Sequence, residues 1–207
     1  MGTTQPAEST PSAADAAALM SALVTEHFAL QSAASATISE SGSRSSIYLA
    51  SLSSGLVAIG FASSSPTILG LLACTIFPTV FLLGWFTVVR LVDTTVENVT
   101  AGHRIERIRR YYASLDPSGP RFFPSEDDLA GSLGVRYSAW SILSTMATMI
   151  AFVNAVLAGV ATALVLVIAA SASQAFAIPA GIVVGGVLLA CTLVYEHRRL
   201  GAAVRAG

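Results

Sequence analysis

The chain reads as an all-α, polytopic membrane protein with four transmembrane helices. Its charge is too sparse for a water-facing surface, that charge is absent from two long runs, and each run is broken once near its middle. Of 207 residues, 54% are hydrophobic and only 11% are Asp, Glu, Lys or Arg, with a mean hydropathy of +0.70. A soluble domain carries roughly a quarter of its residues as charges, so a large part of this surface must face something other than water. The 45 residues between Arg44 and Arg90 contain no charged side chain, nor do the 59 between Arg136 and Glu196. A helix crosses a hydrocarbon core of ~30 Å with about 20 apolar residues. Each run therefore holds two crossings.

The breaks fall where hairpins need them. Ser63-Ser64-Ser65-Pro66 interrupts the first run and Ser171-Ala172-Ser173-Gln174 the second. Proline lacks an N–H and biases the preceding residue away from helix, so Pro66 suits a turn or a first helical position. Spans are predicted near 46–63, 67–89, 138–170 and 175–195, the third long enough to tilt or to project from the bilayer. Pro78 and Pro179 fall inside spans two and four, where proline is tolerated as a kink. Cys74 and Cys191 both lie in spans and read as small apolar fillers rather than a disulfide pair.

Orientation rests on arginine alone, because the chain has no lysine. Arg44 precedes span one, seven arginines lie between spans two and three, and Arg198, Arg199 and Arg205 follow span four, while neither hairpin turn has any. The positive-inside rule makes that side cytoplasmic, with both termini inside. Tyr48, Trp85, Tyr137, Trp140 and Tyr195 fall at the same end, as expected of an interfacial aromatic belt. No positively charged, signal-like start opens the chain, and no lipidation box is expected to act. The expected location is the bacterial inner (cell) membrane.

Outside the spans the predicted organisation is a disordered tail at 1–12, a cytoplasmic amphipathic helix at 13–45, a cytoplasmic helical stalk and loop at 90–137, and a tail at 196–207, with transmembrane hairpins at 46–89 and 138–195. The apolar positions Leu19, Met20, Leu23, Val24, His27, Leu30 and Ala34 recur at helical spacing, and Gly42 marks the expected kink before the membrane. Leu91, Thr95, Asn98, Gly102, Ile105, Ile108, Tyr112 and Leu115 continue a three–four seam beyond span two. That seam is the expected cover for the 19–34 face. Glu40 and Arg44, four apart, are placed to pair. Asp116-Pro117-Ser118-Gly119-Pro120 stops the helix, and Ser125 is a suitable N-cap for the next.

The one cluster that suggests a ligand is His103 to Tyr112, with Arg104, Arg107, Arg109 and Arg110. Arginine forks match phosphate oxygens, so anionic lipid, a nucleotide or an acidic partner are the chemistries it suits. The competing reading is a juxtamembrane charge block that sets topology and pairs internally with Glu106. Seven arginines against seven acids between 90 and 136 argue against a nucleic-acid surface. Glu26-His27 with His103 and Glu106 lacks any metal-ligand spacing, and His27 sits on an apolar stripe, so no metal or cofactor is expected. Within the spans, Asn154 is the costly polar residue and should face another helix or subunit. Gly181-Ile182-Val183-Val184-Gly185 is a GxxxG match that permits close helix approach. No ionisable group occupies the central spans and no hydrolase motif is present, so enzyme and ion-coupled carrier are both disfavoured.

Two stretches carry a resemblance: Glu26-His27-Phe28-Ala29-Leu30-Gln31 running to Tyr48-Leu49-Ala50-Ser51-Leu52-Ser53, and Leu83-Gly84-Trp85-Phe86-Thr87-Val88-Val89-Arg90-Leu91 running to Ile105-Glu106-Arg107-Ile108-Arg109-Arg110-Tyr111-Tyr112. They resemble small uncharacterised four-span integral membrane proteins of actinobacterial type, over about the first half of the chain. The resemblance implies topology and no active residues. A looser likeness is to four-span membrane effectors of bacterial antiphage systems, without a shared ligand motif. The expected role is a non-enzymatic, partner-binding or membrane-effector module acting through its cytoplasmic helices. Its expected partners are the lipid bilayer, further copies of itself and a membrane or cytoplasmic protein. The alternative is an oligomeric pore or small-molecule transporter lined by Ser/Thr faces.

Overall fold

A computed structural model describes residues 13–124 and 146–206. Their elements are α1 (Ala13–Phe61), a 3₁₀ turn (Ala62–Ser64), α2 (Pro66–Ser114), a single turn α3 (Gly119–Phe122), α4 (Met146–Ile168) and α5 (Gln174–Ala206). The described residues form no strand. Four of the helices are long and apolar enough to cross a membrane, so the chain is a multi-pass, all-helical membrane protein. At 1.5 Å per residue the 49 residues of α1 and of α2 each reach about 74 Å, more than twice the hydrocarbon thickness. Both helices therefore continue well beyond the bilayer as one antiparallel pair.

The hairpin turns form where the sequence breaks. Ser65 leaves the helical region with φ −123° and ψ 104°, its N–H reaches back to the Ala62 carbonyl at 3.0 Å, and Pro66 opens α2 at a position whose missing N–H has no helical partner to lose. In the second turn Ser171 takes the left-handed conformation, φ 50°, which reverses the chain within five residues. Pro78 and Pro179 lie inside α2 and α5.

α5 lies on α4 and also meets α2, α4 packs on α2, and α1 flanks the bundle against α2 with a narrow touch on α4. The main core is Tyr48, Val80, Val88, Leu91 and Val92 against Ala147, Ile150, Ala151 and Leu157. Beyond it a second, smaller core joins Leu30 to Ala101 and Ile108, with Leu23, Ile105 and Tyr112 around it. The 91–115 seam thus packs on part of the 19–34 face, while Leu19 and Val24 stay exposed.

Several expectations are corrected. α1 runs unbroken through Gly42; the Glu40–Arg44 ion pair bridges the glycine within α1, and Arg90 of α2 holds Glu40 from the neighbouring helix. On α2 the seam uses Thr94 and Ala101, both buried, instead of Thr95 and Gly102, and Asn98 is exposed. The buried set Thr87, Leu91, Thr94, Ala101 and Ile108 keeps a strict heptad phase. Past the predicted span, the α5 helix continues to Ala206 with Glu196 and Leu200 buried. Tyr48 is no interfacial anchor but a fully buried residue. Cys74 and Cys191 are unbonded, yet exposed on the helix surface rather than filling the core. The tail at 1–12, the Ser125 cap, Arg136, Tyr137, Trp140 and the start of span three at 138–145 lie outside the described residues.

Candidate functional site

Three polar constellations stand out from the apolar bundle, and they sit at different heights along it. The deepest is built around Asn154 on α4, 4% exposed. Its amide donates to the Phe81 carbonyl of α2 at 3.3 Å, and its Oδ1 lies 3.5 Å from the Tyr48 hydroxyl of α1. Gly84 makes the meeting possible: a Cβ there would run into Asn154 Oδ1 and, at 2.7 Å, Tyr48 Cε2. One amide thus joins three helices. Beside it, a void of about 10 Å³ walled by Phe81, Trp85 and Val88 is at the limit for a single water.

Gly181 and Gly185 form a close approach, and their partner lies within the same chain. A Cβ on Gly185 would come within 2.8 Å of the Ala155 carbonyl, one on Gly159 within 2.7 Å of the Gly181 carbonyl, and one on Gly181 would clash with the Gly159 carbonyl. The two backbones pack with no side chain between them, which is what a GxxxG surface permits. The same stripe of α5 continues through Thr192, Glu196 and Leu200. Glu196 is 1% exposed and accepts a hydrogen bond from Thr148 Oγ1 at 2.9 Å. Sequence reasoning passed over it as the point where charge resumes. The available signal was its position four residues from both Thr192 and Leu200.

The second constellation is a belt of charge where α1 and α2 leave the bilayer. Arg90 forks onto Glu40, Nε to Oε1 and Nη2 to Oε2, both at 2.9 Å, and its Nη1 donates to Glu97 at 3.0 Å. Arg44 donates to the same Glu40 Oε1 at 2.8 Å. A bidentate fork fixes orientation as well as distance. Arg90 first, and Arg44 second, hold the Glu40 carboxyl down from 4.5 to about 2, and Glu40 in turn raises Arg90 above its ordinary value. One turn on, Ser41 Oγ meets Thr94 Oγ1 at 3.0 Å. On the other side of α2, Asp93 accepts from Arg199 of α5 and raises its guanidinium's affinity for its proton. The sequence predicted only the Glu40–Arg44 pair. The partners fifty residues away needed the hairpin to be folded.

The third is the arginine cluster, which the fold divides. Arg109 donates to the Pro124 carbonyl at 3.2 Å and ties the chain after α3 back to α2. Arg110 stands 3.8 Å from Glu106 and is largely exposed. Arg104 and Arg107 are exposed on the same outer flank and make no ion pair among the described residues. His27 of the neighbouring helix accepts from the Gln31 amide at 3.0 Å. Among the described residues no group of three His, Cys, Asp or Glu is gathered for a metal.

No protein-family model, curated protein or solved structure matches this chain. The chemistry of its own residues is therefore what a functional reading has to use: a fixed charge belt at the bilayer edge, free guanidinium groups beyond it, and an apolar interior joined at one amide.

Proposed function

We propose that the chain is a non-enzymatic membrane protein that acts as a partner-binding or effector module through the helical stalk formed by α1 and α2. The observation that carries this reading is continuity. Each 49-residue helix passes from bilayer to stalk without a break, and the Glu40–Arg90–Glu97 network clamps the pair at the crossing point. A bend or twist imposed at the stalk tip is then passed to the membrane helices as a rigid motion rather than absorbed in a hinge. Arg104, Arg107 and Arg110 supply a cationic flank for an acidic or phosphate-bearing partner. They lie about 14–20 residues past Arg90, roughly 20–30 Å along a straight helix, beyond the reach of strong attraction to lipid headgroups at physiological salt. In the orientation we propose, this side and both termini are cytoplasmic, in a bacterial cell membrane. An effector is favoured over a pore, because a groove of about 490 Å³ between α2, α4 and α5 is walled by apolar side chains such as Phe77, Leu157 and Val184.

The test is partner capture by the full-length protein in native membranes, using a photo-crosslinker placed at Tyr111 beside the arginine flank. Replacing Arg107 and Arg110 with Gln is expected to leave insertion unchanged, since Arg90, Arg198 and Arg199 remain. Capture should fall several-fold and become insensitive to salt. Equal capture by the double variant at all ionic strengths would refute the role of this flank. Saturable, solute-specific flux through liposomes holding only the purified protein would favour a transporter instead.

A further inference from the structure

We infer that the groove between α2, α4 and α5 is a binding site for one acyl chain of a bilayer phospholipid, drawn from the leaflet on the side of the two hairpin turns. The groove holds about 490 Å³, within the size range of small-ligand sites. Its α2 wall runs from Gly70 to Phe81, and its α4 wall from Leu157 to Ile168. At 1.5 Å per residue each wall is about 16 Å long, close to half of a ~30 Å hydrocarbon core. Gly70 lies one turn past Pro66, where α2 begins, and Phe81 lies well short of Arg90 in the charge belt. The groove therefore starts near the hairpin turns and stops near the middle of the bilayer, one leaflet deep.

Small residues open it. Gly70, Ala73 and Cys74 line it from α2, and Ala158, Ala161 and Thr162 from α4. α4 does not roll over to close the gap, because its backbone is packed on α5 at Gly159, Gly181 and Gly185. Thr162, the one hydroxyl in the wall, donates to the Ala158 carbonyl at 2.8 Å, so its proton is committed within α4. Apart from the Cys74 thiol, the other side chains of the lining are hydrocarbon. At the inner end, Phe81 and Leu188 also wall the void beside Asn154, and the Phe81 carbonyl accepts from the Asn154 amide. A chain in the groove thus rests against the residues that carry the three-helix node.

Width and surroundings identify the occupant. A volume of about 490 Å³ spread over about 16 Å gives a mean cross-section of about 30 Å², the width of a single hydrocarbon chain. A helix about 10–12 Å across needs about 80–110 Å², so a helix of a second copy or of another protein does not seat in it. Val165 and Ile168 on the rim are each 59% exposed, which makes the groove continuous with the outer, lipid-facing surface of the bundle. The mobile apolar groups at that depth are lipid chains. Burial in a bilayer brings no hydrophobic gain, so what retains a chain is the dispersion attraction of three helices around it instead of one. The hairpin turns at the mouth carry no charge, and the site therefore holds the chain without selecting the headgroup by charge. The inference goes beyond the stalk reading and rests only on the four crossings.

Photolabelling of the full-length protein in vesicles tests it, using a phosphatidylcholine with a diazirine midway along one acyl chain and adducts mapped by peptide mass spectrometry. Adducts on Cys74, Phe77, Ala161 and Val165 should exceed those on Val57 and Ile182 at least fivefold, although the latter two are exposed at a similar distance from the turns. Equal labelling of all six positions would show ordinary lipid contact and overturn the site, as would a groove left unlabelled. In a second arm Ala161→Trp, which fills the groove, should lower its adducts at least fivefold and leave those on Val57 and Ile182 unchanged. Ala158→Leu, a smaller filler that guards against misfolding of the first variant, should lower them at least twofold at unchanged helicity. Ile182→Trp, the same bulk placed outside, should leave groove labelling as it was. Groove adducts that persist in both filled variants, or that are lost in Ile182→Trp, would overturn the inference. A phosphatidylglycerol probe with the same chain should label the groove within twofold of the first at low and high salt. A yield that follows headgroup charge would show that the headgroup, and not the chain, is what the protein holds.

Discussion

Asn154 and Gly84 meet from facing helices, and they differ in what replacement does. Asn154→Leu removes two hydrogen bonds, which in membranes average only about 0.6 kcal/mol each, and leucine fills a similar space. Gly84→Ala instead drives a methyl group into Asn154 and Tyr48, an overpacking error of about 1–3 kcal/mol. In detergent unfolding curves Gly84→Ala is therefore expected to be the less stable of the two, with both inserted normally; the opposite order would show that the amide node is worth more than the packing around it. Asn154 was visible in the sequence as a lone amide in an apolar span. Gly84 was not, because a glycine in a membrane helix signals nothing until the two side chains that press on it are known. Tyr48 was misplaced for the same reason: its ring suits an interface until a buried acceptor is found for its hydroxyl.

Between α1 and α2, the charge belt is the feature with a pH signature. Glu40 titrates at about 2 instead of 4.5 because Arg90, and then Arg44, favour its charged form. A depressed folded-state value means that the stabilisation is fully present above the ordinary carboxylate pKa and is lost as pH falls toward the folded one. The α1–α2 clamp should thus loosen between about pH 4.5 and 2. Spin labels at Ala36 and Thr100 should report a distance distribution that broadens across this window. Glu40→Gln should be broad already at neutral pH and change little below it. A wild-type distribution that stays constant through the window would show that the belt does not hold the stalk. The seam between these helices was legible in period but off by one position twice, at Thr94 and Ala101. Heptad spacing tolerates either neighbour, and the crossing of α1 decides which one it covers.

At the scale of the molecule, two hairpins with turns at one end and every described arginine toward the other make a directional object. The orientation we propose predicts that reporter fusions at Ser64 and Ser173 act outside and fusions at Gly119 and Gly207 act inside; a fusion at Gly119 found outside would invert that assignment. The all-helical, four-crossing architecture followed from the sequence by itself. Helix in a bilayer is a local requirement: backbone groups in hydrocarbon must bond within their own segment, so charge-free length and two interrupted runs suffice to locate the spans. Which residues meet across the bundle was not local. Glu40 with Arg90, Asp93 with Arg199, Thr148 with Glu196, and Gly159 with Gly181 each join residues from 22 to 106 positions apart. Only the crossing of packed helices sets such pairs, because a contact between two surfaces depends on the rotation of both helices about their axes, and neither sequence segment encodes the rotation of the other.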